Sequence, residues 1–172
     1  MPSPQDWNLW KAAAASPEVD AALRTLYAGV DAAVRLRGPR CDASGRCCKF
    51  NTYGHLLYVT GLEIAWFLRQ AEAQKVAVDA DYGIRIQNLR LPVLSPRQLP
   101  DGCAWQVDGL CSAHGFRPLG CRVYFCEKGT EDWQQRTYEK FQMQLRGLHD
   151  LLGLPYDYME WRGGILSATR TA

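Results

Sequence analysis

Residues 41–50 read CDASGRCCKF and residues 103–126 read CAWQVDGLCSAHGFRPLGCRVYFC, and between them these two stretches hold every cysteine of the chain: Cys41, Cys47, Cys48, Cys103, Cys111, Cys121 and Cys126. Cysteines that serve only as small core hydrophobes would scatter along helices, because burial does not care about loop position. Here they are gathered in Gly- and Pro-rich loops, so sulfur is expected to hold something there. Seven is an odd number, which leaves one thiol over from any disulfide set. Adjacent cysteines such as Cys47 and Cys48 also rarely reach bridge geometry with each other.

Outward from these loops, three helices are expected to frame them. Residues 17–37 start at Ser16 with Pro17 in the first turn and carry the stripe Val19, Leu23, Leu26, Val30, Val34. They stop at Gly38-Pro39. A second helix starts on the capping box Thr60-Gly-Leu-Glu63 and runs to about Gln74, with Ile64, Phe67, Leu68 and Ala71 inward. A third spans 130–153, carries Trp133, Phe141, Leu145, Leu148 and Leu152, and ends at Gly153 before Pro155. His55 to Val59 reads as a short strand. Residues 76–100 read as an irregular connection with a strand at Ile84 to Leu89. The expected class is therefore mainly α with a short β-hairpin, three principal helices framing irregular cysteine-rich loops. It forms one domain over 1–172, its metal-binding core lying at 38–128 and the helices 17–37 and 130–153 supporting it.

Asp108-Gly109 is a strong signal for that hairpin, pairing Val107 with Leu110 and Gln106 with Cys111. Regular alternation would then send Cys103 and Cys111 to opposite faces. Both reach one centre only if a bulge or an early strand end changes the parity.

Bulk properties exclude several classes. A chain of 172 residues with 47% apolar content can bury a real core without staples. A formal charge of +2 points to no nucleic-acid groove. No leader with an apolar h-region and no long apolar run is seen, so neither secretion nor a membrane span is expected. The expected compartment is the cytoplasm, where clustered cysteines are more often metal ligands or catalysts than bridges.

Arg40, Arg46, Lys49, Arg117, Arg122 and Lys128 lie within a few residues of a cysteine. Cations lower thiol pKa and offset the charge of a thiolate-ligated centre. Arg117, Arg122 and His114, in the densest part of the loop, are the residues expected around the ligands. Lone His55 and His149 read as surface or core, and Trp105, Tyr124, Phe125 and Trp133 as an apolar jacket. The gaps, C-x5-CC, C-x7-C, C-x9-C and C-x4-C, match no regular zinc knuckle and leave the metal open between zinc and iron–sulfur.

At these residues the chain resembles the YkgJ-like cysteine-cluster proteins, a zinc- or iron-chelating family with a CxxCxxCC motif followed by a Cys pair and an RPxxCR element. The resemblance covers roughly 38–128. Cys41, Cys47, Cys48, Cys103, Cys111 and Cys121 fall on cysteine positions, Ser44 replaces one, and Cys126 is additional. A more distant similarity links flagellin lysine methylases, whose methyl-donor machinery has no counterpart here. The resemblance implies a cysteine-bound metal centre and tilts the choice to a [4Fe–4S] cluster, with Zn2+ as the alternative. Cys48, Cys103, Cys111 and Cys121 are the expected core ligands, followed by Cys41, Cys47 and Cys126. Three function classes stand: an iron–sulfur protein doing redox or substrate-activating chemistry, a zinc module that binds a partner, and a thiol-based oxidation sensor or metal chaperone using Cys47-Cys48. The partner would be a protein or a small molecule.

Overall fold

Ser3 and Asp6 open the chain with a reciprocal cap. The Asp6 amide donates to the Ser3 hydroxyl at 3.2 Å and the Ser3 amide to the Asp6 carboxylate at 2.7 Å. The helix that follows, α1 (Pro4–Ala15), buries Trp7, Trp10 and Ala14 along one face. The two indoles meet edge to face, 5.0 Å between centroids. Each N–H finds a partner, Trp7 on Ser167 Oγ (3.0 Å) and Trp10 on the Pro155 carbonyl (2.9 Å), as buried indoles require. This computed structural model describes residues 2–82 and 95–170. The expected strand at Ile84 to Leu89 lies outside them.

The predicted helices form as expected: α2 is Pro17–Arg37, and α4 (Gly61–Gln74) follows the short α3 (Phe50–Tyr53). After α5 (Leu119–Val123) comes α6, Glu131–Leu152. Gly38 and Gly153 close α2 and α6 in the left-handed conformation, which a residue without Cβ adopts at no steric cost. Along α6 the buried stripe is Thr137, Phe141, Leu145 and His149, while Leu152, expected inward, is 37% exposed. The stripe ends one turn before the helix does.

Two long helices join the expected three: α1 and the C-terminal α7 (Trp161–Arg170). Both pack on α4, which is buried on nearly every side. Gly61 lets Trp10 lie against the start of α4, and Gly164 lets α7 approach Ile64; a Cβ at either would enter those side chains. Among the described residues the fold is thus mainly α, with two small antiparallel ribbons. The strand expected at 55–59 is β1, Tyr58–Thr60, and its partner is β4, Tyr158–Glu160, in register Tyr58–Glu160 and Thr60–Tyr158. The predicted hairpin is β2 (Gln106–Val107) with β3 (Leu110–Cys111), in the expected register. Asp108 and Gly109 both have positive φ, as a two-residue primed turn demands.

One buried carboxylate serves two helices. Glu63, within the capping box of α4, accepts from Thr60 N (3.0 Å), from Leu119 N at the start of α5 (2.9 Å), and from the Tyr27 hydroxyl (3.1 Å). Burial raises its pKa above the ordinary carboxylate value. Such a group favours folding fully below the unfolded pKa, and that contribution is lost as pH rises towards the folded value. In Glu63→Gln an amide NH2 must face the Thr60 N–H, so the variant is expected to lose about 1–2 kcal/mol of capping. The gap to the wild type should narrow as pH rises through the carboxylate range. Urea midpoints measured across that range check both the loss and its slope.

Candidate metal centre

The first cysteine loop is carried on a short 3-10 turn, Arg46–Cys48, that opens at Gly45 with φ +69°. A Cβ on Gly45 would run into the Gln106 amide and the Gly109 carbonyl. The residue therefore meets two demands for glycine, a left-handed backbone and a close approach. That approach is bonded, because Gln106 Nε2 donates to the Gly45 carbonyl at 2.8 Å and so ties the hairpin to the first loop.

A second tie runs through Asp101. Its carboxylate accepts from Asn51 N at 2.8 Å, from Thr52 N at 3.3 Å and from the Thr52 hydroxyl. Asn51 in turn donates to the Leu99 carbonyl (3.2 Å). The segment just before Cys103 is thereby fixed beside the segment just after Cys48.

Arg162 makes the third tie from beneath. It is buried, donates to the carbonyls of Pro96 (2.9 Å) and Pro100 (3.0 Å) and to Asn51 Oδ1 (3.2 Å), and pairs with Glu160 at 2.6 Å. Its guanidinium also lies over the Phe50 ring, 5.0 Å from the centroid.

The parity conflict at the hairpin is resolved by an early strand end. Gln106 N donates to the Cys103 carbonyl at 3.0 Å, closing a turn over residues 103–106, while Ser112 N still pairs with the Trp105 carbonyl. The turn swings Cys103 out of the ribbon's alternation and back to the side of Cys111. Both then line the cavity that the buried Cys48 also lines.

Six of the seven cysteines, Cys41, Cys47, Cys48, Cys103, Cys111 and Cys121, line one cavity of about 150 Å³. Phe67, Trp105 and Trp161 wall its inner side and His114 and Arg117 its rim. All seven cysteines are free; Cys48 is buried, Cys41 exposed, and the others half-buried. The Cys47 and Cys48 sulfurs are 4.0 Å apart. Among the described residues no three His, Cys, Asp or Glu side chains are gathered as the ligands of one ion would be. The space between the sulfurs is roughly ten times what a bound water needs.

The electrostatics favour thiolate at several of these positions. A hydrogen bond from Cys48 pulls Cys47 down to about 6, helped by the positive field of Arg117. The same thiol lowers Cys111 to about 7, together with the Ala113 amide and Arg117. Cys103 is lowered too, by Cys48 first and then by the nearby Trp105 backbone and Trp161 side chain. Cys48 itself is pushed up by the neighbouring thiols of Cys103, Cys111 and Cys47, and burial pushes Cys121 up. His114 is held below the ordinary imidazole value by partial burial, Arg117 and Arg122.

Two expected residues sit elsewhere. Arg122 does not line the cavity. It is buried, paired with Asp31 (2.9 Å), and donates to the carbonyls of Gly115 (2.9 Å) and Arg117 (2.7 Å), so it holds the loop rather than facing the sulfurs. Cys126 lies beyond the end of α5 and outside the cavity lining. Of the expected jacket, Trp105 takes part, whereas Phe125 and Trp133 pack on each other, 6.5 Å between ring centroids, away from it. Phe67 and Trp161 were not foreseen in that role; they sit 4.8 Å apart, edge to face. Among the described residues no helix is long and apolar enough to cross a membrane. Compared with protein-family models, curated proteins and solved structures, the chain finds no match.

Proposed function

We propose that the chain is a metal-binding protein that holds an iron–sulfur cluster of the [4Fe–4S] type between its two cysteine loops. The observation that carries this reading is the convergence of six cysteines from distant loops on one apolar-backed cavity. The donor set is all sulfur and soft, which suits iron–sulfur or zinc. A zinc ion lies about 2.3 Å from each of four sulfurs and needs little space of its own, so the volume enclosed here supports the larger group. The basic Arg117 at the rim fits an anionic centre.

Cys48, Cys103, Cys111 and Cys121 would be the ligands, with Cys47 and Cys41 nearest in reserve and Arg117 tuning the charge. The cluster would supply one-electron chemistry; the chain's part is to exclude water with Phe67, Trp105 and Trp161 and to favour thiolate at Cys47, Cys103 and Cys111. The resemblance to YkgJ-like proteins points the same way.

Protein produced and purified without oxygen should be brown and carry near-stoichiometric iron and sulfide. Colourless protein with one equivalent of zinc under the same conditions overturns the cluster in favour of a zinc module. A second reading draws on the 4.0 Å Cys47–Cys48 pair: metal that leaves on mild oxidation and returns on reduction would identify a thiol sensor or chaperone.

A further inference from the structure

A second cavity, of about 340 Å³, backs onto the first, and Cys47, Cys121 and Phe50 line both. Its own walls are aromatic: Tyr58, Tyr124, Tyr138, Tyr158 and His55. Two ring pairs lie close to parallel, His55 on Tyr124 at 4.9 Å and 21°, and Tyr58 on Tyr158 at 5.5 Å and 27°. Large apolar side chains are partly bared at this spot. Leu56 is 42% exposed and Tyr58, Tyr124 and Tyr158 nearly as much. Exposed apolar surface gathered around a concavity marks a binding site rather than random surface.

The polar inventory narrows the ligand. Among the described residues no lysine or arginine lines the cavity, and the one carboxylate that does, Glu131, is exposed. An anion would therefore enter without a countercharge, at the full cost of its dehydration. Gln134 is occupied by the Phe125 backbone and Thr130, and exposed Gln135 spends one amide N–H on Glu139. Tyr138 and Tyr158 bond hydroxyl to hydroxyl. Two phenols bring two protons and this bond uses one, so the other is free to donate. Burial raises the pKa of both, so both stay protonated.

We propose that this cavity binds a flat, uncharged ring bearing a hydrogen-bond acceptor, a ring nitrogen or a carbonyl, stacked among the tyrosines and held by the Tyr138–Tyr158 pair. That the bound ring sits against the metal centre, as substrate or electron partner, rests on the cluster reading above; that it binds does not.

Isoquinoline, uncharged at mildly alkaline pH, is the probe, with naphthoate and tetramethylammonium as anionic and cationic counterparts. Calorimetric titration of protein with measured iron and sulfide content should show saturable isoquinoline binding and none for the ions. Either single Tyr→Phe change leaves one donor proton in place. The double variant Tyr138→Phe/Tyr158→Phe should weaken binding about threefold to tenfold, the worth of one hydrogen bond. Gln135→Trp or Leu56→Trp, both at exposed positions, should abolish it by filling the cavity while iron content stays unchanged. In iron-loaded protein the visible circular dichroism should shift on binding, because Cys47 and Cys121 belong to both walls.

No binding by protein with full iron overturns the site and leaves the metal reading intact. Binding indifferent to both tryptophan variants places the ligand elsewhere and also overturns it, and preference for naphthoate or tetramethylammonium overturns the ligand class. Saturable binding by protein that never acquires iron sustains the pocket and removes the cluster.

Discussion

Replacing Arg162 by alanine is expected to destabilise the protein by about 3–5 kcal/mol, the usual cost of breaking a buried ion pair from one side. The change strands Glu160, itself 8% exposed, without its cation. It also leaves the Pro96 and Pro100 carbonyls without their donor. Such a loss is a large share of the roughly 5–15 kcal/mol that a domain has in total. For a chain of this size it corresponds to a fall in Tm of roughly 6–20 °C. Arg162→Lys should recover little, because one ammonium cannot span the Pro96 carbonyl, the Pro100 carbonyl, Asn51 and Glu160 in the fork geometry that guanidinium provides. Thermal melts give the size of the effect, and hydrogen exchange gives its place. Amides of 95–103 and 49–52 should lose protection together, since Arg162 and Asp101 tie those two segments to each other. Loss confined to α7 would show that Arg162 serves its own helix and not the cysteine loops.

Cys48→Ser is expected to empty the centre, whereas Cys126→Ser should leave its metal content unchanged. Cys48 is the buried thiol beside Cys47, on the same cavity as Cys103 and Cys111, and a serine hydroxyl there offers a hard donor that stays protonated. Loss of even an outer partner of a ligand costs about tenfold to a hundredfold in metal affinity, so loss of the central sulfur should exceed that. Cys126 does not border the cavity, and its removal touches none of the ties around the sulfurs. Iron and sulfide per chain, measured on anaerobically purified variants beside the wild type, decide the matter. Retention in Cys48→Ser with loss in Cys126→Ser would reverse the ligand assignment.

What could be read along the chain was whatever leaves a local mark. The ends of α2 at Pro17 and Gly38, the Thr60–Glu63 box of α4, the Gly153 stop of α6 and the Asp108-Gly109 turn each rest on hydrogen bonds or backbone conformations within a few residues. Their signals are therefore complete in the sequence. The grouping of the cysteines belongs here too, because it is a property of spacing alone.

Helix α1 escaped notice because its buried face is only Trp7, Trp10 and Ala14 within an alanine run, which has no apolar–polar contrast to betray a period. Strand β4 is three residues long and exists through β1, far earlier in the chain. The site depended still more on distant contacts. The pairing of Arg122 with Asp31 and the second cavity behind Cys47 and Cys121 are made between remote segments, and the turn that brings Cys103 back to Cys111 is a local bond with no distinctive residue to announce it. Contacts between remote segments have no period and no fixed spacing. The sequence by itself determined which atoms could bind a soft metal and three of the helices of the frame, but not α7, whose Trp161 walls the cavity. Only the tertiary structure decided which sulfurs face one another, because that is set by a few buried ties such as Asp101, Gln106 and Arg162, whose partners lie tens of residues away.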